Sequence, residues 1–177
     1  EYVFCWLGNT DLLVSIIKLI EDKMNLEHDI KEVGVQMILL VEDSIRFYSS
    51  VLPNLYKFVL RQSQEFATEA LNEHQRTLRM RGRPKIKLAR NYEEAVRIFD
   101  QYRDNMLGII SDMSFMHNGV KDPYAGYKFG QYVRKTGLII PFVLESSEAS
   151  NHVYAKELNA SFIDKNSKSY PQDLKKK

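Results

Sequence analysis

The feature that most narrows the possible folds is a nearly unbroken apolar run, Val35-Gln36-Met37-Ile38-Leu39-Leu40-Val41, that stops abruptly at Glu42-Asp43-Ser44. A strand buried on both faces needs apolar side chains at every position, and strands of this kind belong to parallel sheets. The pattern returns downstream. Lys85 to Ala89 reads as a short alternating strand, and Leu107 to Ser111 as a buried strand ending at Asp112. Ile139 to Leu144 reads as a strand ending at Glu145-Ser146-Ser147, and Ser161 to Asp164 as the last, with Lys165 after it. Helical stretches lie between them. One carries Tyr48, Leu52, Leu55 and Val59 on one stripe, and Pro53 inside it should kink or break it. The next opens on Asn91 and Glu94, which fit a capping box, and carries Ala95, Val96, Phe99 and Tyr102. Tyr127, Phe129, Tyr132 and Val133 mark another, and Ala149 to Leu158 a short one. Alternating strands and helices predict the α/β class: a five-stranded parallel sheet with helices on both faces.

The chain divides at about residue 35. Residues 1–35 read as a strand-helix extension: Tyr2 to Leu7 as a short buried strand broken by Gly8-Asn9, then a helix capped by Thr10 and running to about Asn25. Its apolar positions are Leu13, Ile16, Ile17 and Ile20. Residues 25–35 are polar and end at Gly34, which suggests a connector. Residues 36–177 form the main domain, with a helical insertion at about 61–83. The chain starts at Glu1 rather than Met, as a piece of a longer protein would.

A net charge of +2 does not by itself call for nucleic acid or membrane as partner. No apolar run is long enough to span a bilayer, and no segment reads as a signal peptide. Cys5 is the only cysteine, so an intrachain disulfide is excluded and a cytoplasmic setting is expected. In its apolar run Cys5 reads as a buried, inert thiol. The four histidines lack metal-ligand spacing. Arg76, Arg79, Arg81, Arg83, Lys85, Lys87 and Arg90 form a basic run read as solvated or partner-facing, and the insertion beside it as a candidate dimerisation element.

Parallel α/β sheets place functional residues at the carboxyl ends of their strands. Those ends supply Glu42 and Asp43, Asp112, Ser146 and Lys165. Carboxylates crowded into one crevice repel one another, and a hard dication such as Mg²⁺, which prefers oxygen ligands, removes that cost. One carboxylate can then act as nucleophile and become an acyl phosphate, with a hydroxyl and an ammonium holding the other phosphoryl oxygens.

The stretches Ile38-Leu39-Leu40-Val41-Glu42-Asp43-Ser44, Gly108-Ile109-Ile110-Ser111-Asp112, Pro141-Phe142-Val143-Leu144-Glu145-Ser146-Ser147-Glu148 and Ala160-Ser161-Phe162-Ile163-Asp164-Lys165 resemble the receiver domains of two-component response regulators. The resemblance implies a flavodoxin-like doubly wound sheet of order 2-1-3-4-5. It implies Mg²⁺-dependent phosphorylation of Asp112, with Glu42, Asp43, Asp112 and the backbone carbonyl of Ser114 as metal ligands. Ser146 takes the switch hydroxyl position, Lys165 that of the family's lysine, and Phe162 that of its switching aromatic. The implied partner is a sensor histidine kinase or phosphotransfer protein, a homodimer being a further option. The domain is then a phosphoacceptor, not an enzyme in its own right. Departures from the pattern are Asn166 where proline is usual, a longer loop from Asp112 to Gly126, the insertion, and Glu145 beside the switch serine.

The stretches Val41 to Ser50, Leu78 to Lys85 and Phe162 to Ser167 resemble a narrower group, the tandem receiver-like region of bacterial phosphoenolpyruvate synthase or pyruvate phosphate dikinase-like proteins. That resemblance makes Tyr2 to Asn25 the end of an upstream receiver-like domain, with Trp6-Leu7-Gly8-Asn9 where a lysine would be needed. Two rival functions remain. One is a pseudo-receiver that docks or dimerises without phosphorylation. The other is a phosphatase with an aspartyl nucleophile, but such enzymes need a second acid where this chain has Ser114.

Overall fold

The computed structural model describes residues 2–68, 72–74, 77 and 82–167. These form, in order, α1 (Asp11–Val33), β1 (Met37–Val41), α2 (Ile45–Thr68), β2 (Lys85–Ala89), α3 (Tyr92–Tyr102), β3 (Met106–Asp112), β4 (Phe115–His117), β5 (Val120–Asp122), α4 (Ala125–Lys135), β6 (Phe142–Ser146), α5 (His152–Glu157) and β7 (Ser161–Asp164). Five strands make one parallel sheet in the order β2-β1-β3-β6-β7, and β4 and β5 pair separately as an antiparallel hairpin. With the hairpin set aside, the order is 2-1-3-4-5, the flavodoxin-like doubly wound arrangement. The chain divides into two compact units. One holds the described residues up to Met37 and from Ile45 to Lys87; the other holds Ile38–Ser44 and the described residues from Leu88 on.

In the first unit α1 lies along α2. Helix α1 runs well past Asn25 to Val33, so there is no connector; Gly34 ends it in the left-handed region with φ 69°. Its start is capped by Asn9, whose Oδ1 accepts from the Asp11 amide at 2.9 Å, and Thr10 makes no side-chain cap. The buried stripe is Leu12, Ser15, Leu19, Asp22, Leu26 and Asp29. Of the stripe read from the sequence, Leu13, Ile17 and Ile20 face outward, Ile17 being 63% exposed, and Ile16 is half-buried. Both stripes recur at helical spacing, and buried partners decide between them. Asp22, 1% exposed, accepts from Arg83 Nη2 at 2.6 Å, from the Tyr56 hydroxyl at 2.9 Å and from the Ile86 amide at 2.9 Å. Asp29 pairs with Lys85 at 2.8 Å. Arg83 and Lys85 are therefore buried counterions rather than solvated members of a basic run; Arg76, Arg79 and Arg81 lie outside the described residues.

Residues Tyr2 to Leu7 form no strand. Their backbone is bound by α2 side chains: the Cys5 amide donates to Ser49 Oγ at 3.0 Å, and the Tyr48 hydroxyl donates to the Val3 carbonyl. Cys5 is half-buried, not buried. Helix α2 continues through Pro53 without a break. The insertion begins as the last turns of α2, and much of its remainder lies outside the described residues.

In the second unit α3 and α4 meet through Phe99 and Phe129, whose rings are edge to face at 6.2 Å. Asn91 caps α3 by accepting from the Glu94 amide at 2.8 Å, as its spacing predicts, while Glu94 reaches back to the Arg90 amide at 2.9 Å. Strand β6 starts later than expected, after Pro141, and Ile139 is exposed. The larger departure is the hairpin. Residues expected to form a loop fold as β4 and β5 around Asn118-Gly119, with φ 52° and 75°. Positive φ at both turn positions is what a two-residue hairpin requires, and Asn-Gly supplies it.

Candidate functional site

The parallel register brings the predicted residues together at the carboxyl edge of the sheet. Asp112 ends β3 opposite Glu145 of β6, and Ser146 stands opposite Asp164 of β7. The pairing continues past β7, where the Lys165 amide donates to the Ser146 carbonyl at 2.8 Å. Glu42 follows β1 directly, and its amide donates to Ala89 at the end of β2 at 3.0 Å. Backbone ladders thus fix where each of these side chains begins.

Lys165 sits between two carboxylates. Its Nζ lies 2.5 Å from Glu42 Oε2 and 2.9 Å from Asp112 Oδ1. Asp112 Oδ1 also accepts from the Met113 amide at 2.8 Å, which leaves Oδ2 for chemistry. Glu42 is 1% exposed, and its Oε1 accepts from the Ser44 amide at 3.0 Å. Burial, reinforced by the Asp112 charge, pushes its carboxyl up to about 7 against the pull of Lys165. Burial works against the Lys165 charge, but Glu42 and Asp112 hold its ammonium above the usual lysine value.

One carboxylate oxygen from each of Glu42, Asp43 and Asp112 lies within 4.8 Å of the others. Three hard carboxylate oxygens from two adjacent strand ends, β1 and β3, suit a hard dication with water completing its shell, and Mg²⁺ fits this donor set better than a softer metal. Ser114 borders a cavity of about 320 Å³ beside Asp112, together with Lys121, Tyr124, Ser146 and Lys165. Ser146 is buried, and its Oγ accepts from the Glu148 amide at 3.0 Å and from Asn151 Nδ2 at 2.9 Å. It therefore orders the loop after β6 while facing the cavity. Phe162 is half-buried in β7, opposite Leu144.

Two site features escaped sequence reasoning. Lys121, on β5, places its ammonium 2.7 Å from both carboxylate oxygens of Asp43. The signal that could have found it is Asn118-Gly119, a hairpin turn that aims the next strand back toward the sheet edge. The hairpin is tied down around that turn. Asp122 accepts from Lys128 at 2.7 Å and from the Tyr124 amide at 2.9 Å, and lies 3.1 Å from His117 Nδ1. These donors outweigh burial and hold the Asp122 carboxyl down at about 2. His117 also stacks on Tyr92 at 4.2 Å, which makes it a structural member of the hairpin. The second missed feature is Asn151, for which the sequence carries no local signal.

Fold and site together define a doubly wound α/β domain with an acidic, lysine-bridged cluster at the carboxyl edge of its sheet. No family model and no curated protein matches the chain. Among solved structures it is similar to a response regulator receiver domain protein from Clostridium thermocellum, at 17% identity over 80% of this chain and 89% of that one, TM-score 0.47. It is similar to the phosphorylated cyanobacterial phytochrome response regulator RcpA, at 18% identity over 80% and 90%, TM-score 0.48. It is also similar to the response regulator TrrA from Thermotoga maritima in complex with Mg²⁺-BeF, at 17% identity over 80% and 96%, TM-score 0.45. All three are response-regulator structures.

Proposed function

We propose that this domain is a phosphoacceptor receiver, in which Asp112 takes a phosphoryl group in the presence of Mg²⁺. The observation that carries the proposal is the position of Lys165, bridging buried Glu42 and Asp112 with Asp43 beside them. Three acids at one edge of the sheet repel one another, a cost that two lysine ammonium groups offset in part and a dication would remove. Bound Mg²⁺ would be held by Glu42, Asp43, Asp112 and the Ser114 carbonyl, and would neutralise charge on the carboxylates and the incoming phosphoryl oxygens.

The chain's own groups do the rest. Asp112 Oδ2 attacks phosphorus, forming the P–O bond of an acyl phosphate. The P–N bond of a donor phosphohistidine breaks, and its electron pair returns to the imidazole. Lys165 exchanges its contact with Asp112 for a phosphoryl oxygen, and the Ser146 hydroxyl donates to another. Attack of water on the acyl phosphate later returns free phosphate. The domain then acts as a reversible charge switch, with a histidine kinase or phosphotransfer protein as donor. The narrower likeness to phosphoenolpyruvate synthase-like proteins rests on sequence stretches alone.

One observation favours a second function, a docking module that is never phosphorylated: Lys121 already neutralises Asp43. Intact-protein mass spectrometry separates the two. A mass gain of one phosphoryl group with Mg²⁺ and acetyl phosphate, lost in Asp112→Asn, is expected of a receiver. No gain with any phosphodonor would leave the docking module.

A further inference from the structure

We propose that Lys121 is a built-in competitor for the divalent cation, setting how tightly the acidic cluster binds it. The inference rests on the receiver function above, because it concerns the same cluster. Its basis is a positive charge already seated on the oxygens a cation would bind. Both oxygens of Asp43 are occupied by a single ammonium at 2.7 Å. The only Asp43 atoms that could bind a metal are therefore the atoms Lys121 holds.

The remaining two acids are engaged by Lys165. Two ammonium groups thus face three carboxylates, and an entering dication meets the repulsion of the Lys121 ammonium at Asp43. Nothing about the hairpin prevents this. Its turn is fixed by the Asn118 amide donating to Glu93 at 2.8 Å, by the Asn91–Met116 bridge and by the Asp122 contacts. The Lys121 side chain itself is 52% exposed. The ammonium can leave for water on its long stem while the hairpin stays in place.

The consequence is a site tuned to weaker metal binding than its three acids would otherwise have. Removing the competing charge should tighten it, by an amount discounted for the exposure of Lys121. The residue positions charge and touches no phosphoryl group in this role.

The test is calorimetric titration of the whole chain with Mg²⁺ alone, and separately with Mn²⁺ alone, with no phosphodonor present. Lys121→Met keeps the aliphatic stem and removes the charge; Lys121→Arg keeps the charge. Expected is a dissociation constant lower by roughly three- to tenfold in Lys121→Met, and close to wild type in Lys121→Arg. In wild type, the amide resonances of Val120 and Lys121 should also shift on Mg²⁺ addition, and less so in Lys121→Met. Equal or weaker binding in Lys121→Met, with wild type binding metal, overturns the competition alone. Failure of all three proteins to bind either ion overturns the receiver function and the competition with it.

Discussion

Gly126, the second residue of α4, stands so close to Asp112 that a Cβ built on it would lie 2.0 Å from the Asp112 carbonyl oxygen and 2.9 Å from the Met113 Cα. Its amide donates to the Met113 carbonyl at 2.9 Å, so helix and strand end are in backbone contact. Gly126→Ala should therefore destabilise the protein by about 1–3 kcal/mol or more, since the obstructing atoms are backbone and cannot rotate away. It should also slow acyl phosphate formation at Asp112. Urea unfolding reads the first and mass gain the second; an alanine variant unchanged in both would show that the close approach is not needed.

Asp22 is the polar centre of the α1–α2 unit, and its removal takes the nearest counterion from a buried guanidinium. Asp22→Leu should cost about 3–5 kcal/mol, most of it the penalty of leaving buried Arg83 with only the longer contact to Glu21, at 3.7 Å, as counterion. The double variant Asp22→Leu/Arg83→Met should recover much of that loss, because it buries no charge. Chemical denaturation of the two single variants and the double variant forms the cycle. A double variant as unstable as Asp22→Leu would mean that the hydrogen bonds to Tyr56 and Ile86 matter more than the ion pair.

Glu42 makes stability fall as pH rises. Its folded carboxyl keeps a proton to about pH 7, whereas the ordinary value is 4.5. Between these values the folded state binds more protons than the unfolded one. The metal-free protein therefore loses stability from pH 4.5 to about 7, on the order of 3 kcal/mol, and levels off above. Asp122 acts in the opposite sense: its contribution is present above the ordinary carboxylate value and lost as pH falls toward 2. Glu42→Gln should flatten the decline in chelator-treated protein. In wild type, Mg²⁺ affinity should rise through pH 7 as Glu42 gives up its proton. A pH-independent unfolding free energy from 4.5 to 7 would contradict this account of Glu42.

Lys165→Met should leave Glu42 and Asp112 facing each other with no charge between them. A loss of about 2–4 kcal/mol is expected at pH 8 in chelator, partly restored by Mg²⁺, which would take over the neutralising role. Thermal unfolding with and without the ion reads this directly. A variant insensitive to Mg²⁺ would place the ion elsewhere.

Much of this arrangement was legible along the chain because it depends on local rules. The run ending at Glu42, the strand ending at Asp112 and the Asn91 cap are patterns that neighbouring residues impose on one another. Parallel topology then brings Glu42, Asp112, Ser146 and Lys165 to one edge, because right-handed crossovers leave little alternative. The Asn118-Gly119 hairpin was equally local, and its turn residues announce it once the flanking residues are read as strands.

What the amino-acid order determined by itself was the alternation of elements and the acids and lysine at the strand ends. Tertiary structure alone decided which face of α1 is buried, that Arg83 and Lys85 are interior counterions, and that Lys121 lies on Asp43. The physical reason is range. Asp22 and Arg83 are 61 positions apart, and Asp43 and Lys121 are 78. Two helical stripes that both step by three and four, Leu12-Ser15-Leu19-Asp22-Leu26 and Leu13-Ile17-Ile20, differ in whether a distant partner lets an aspartate sit inside.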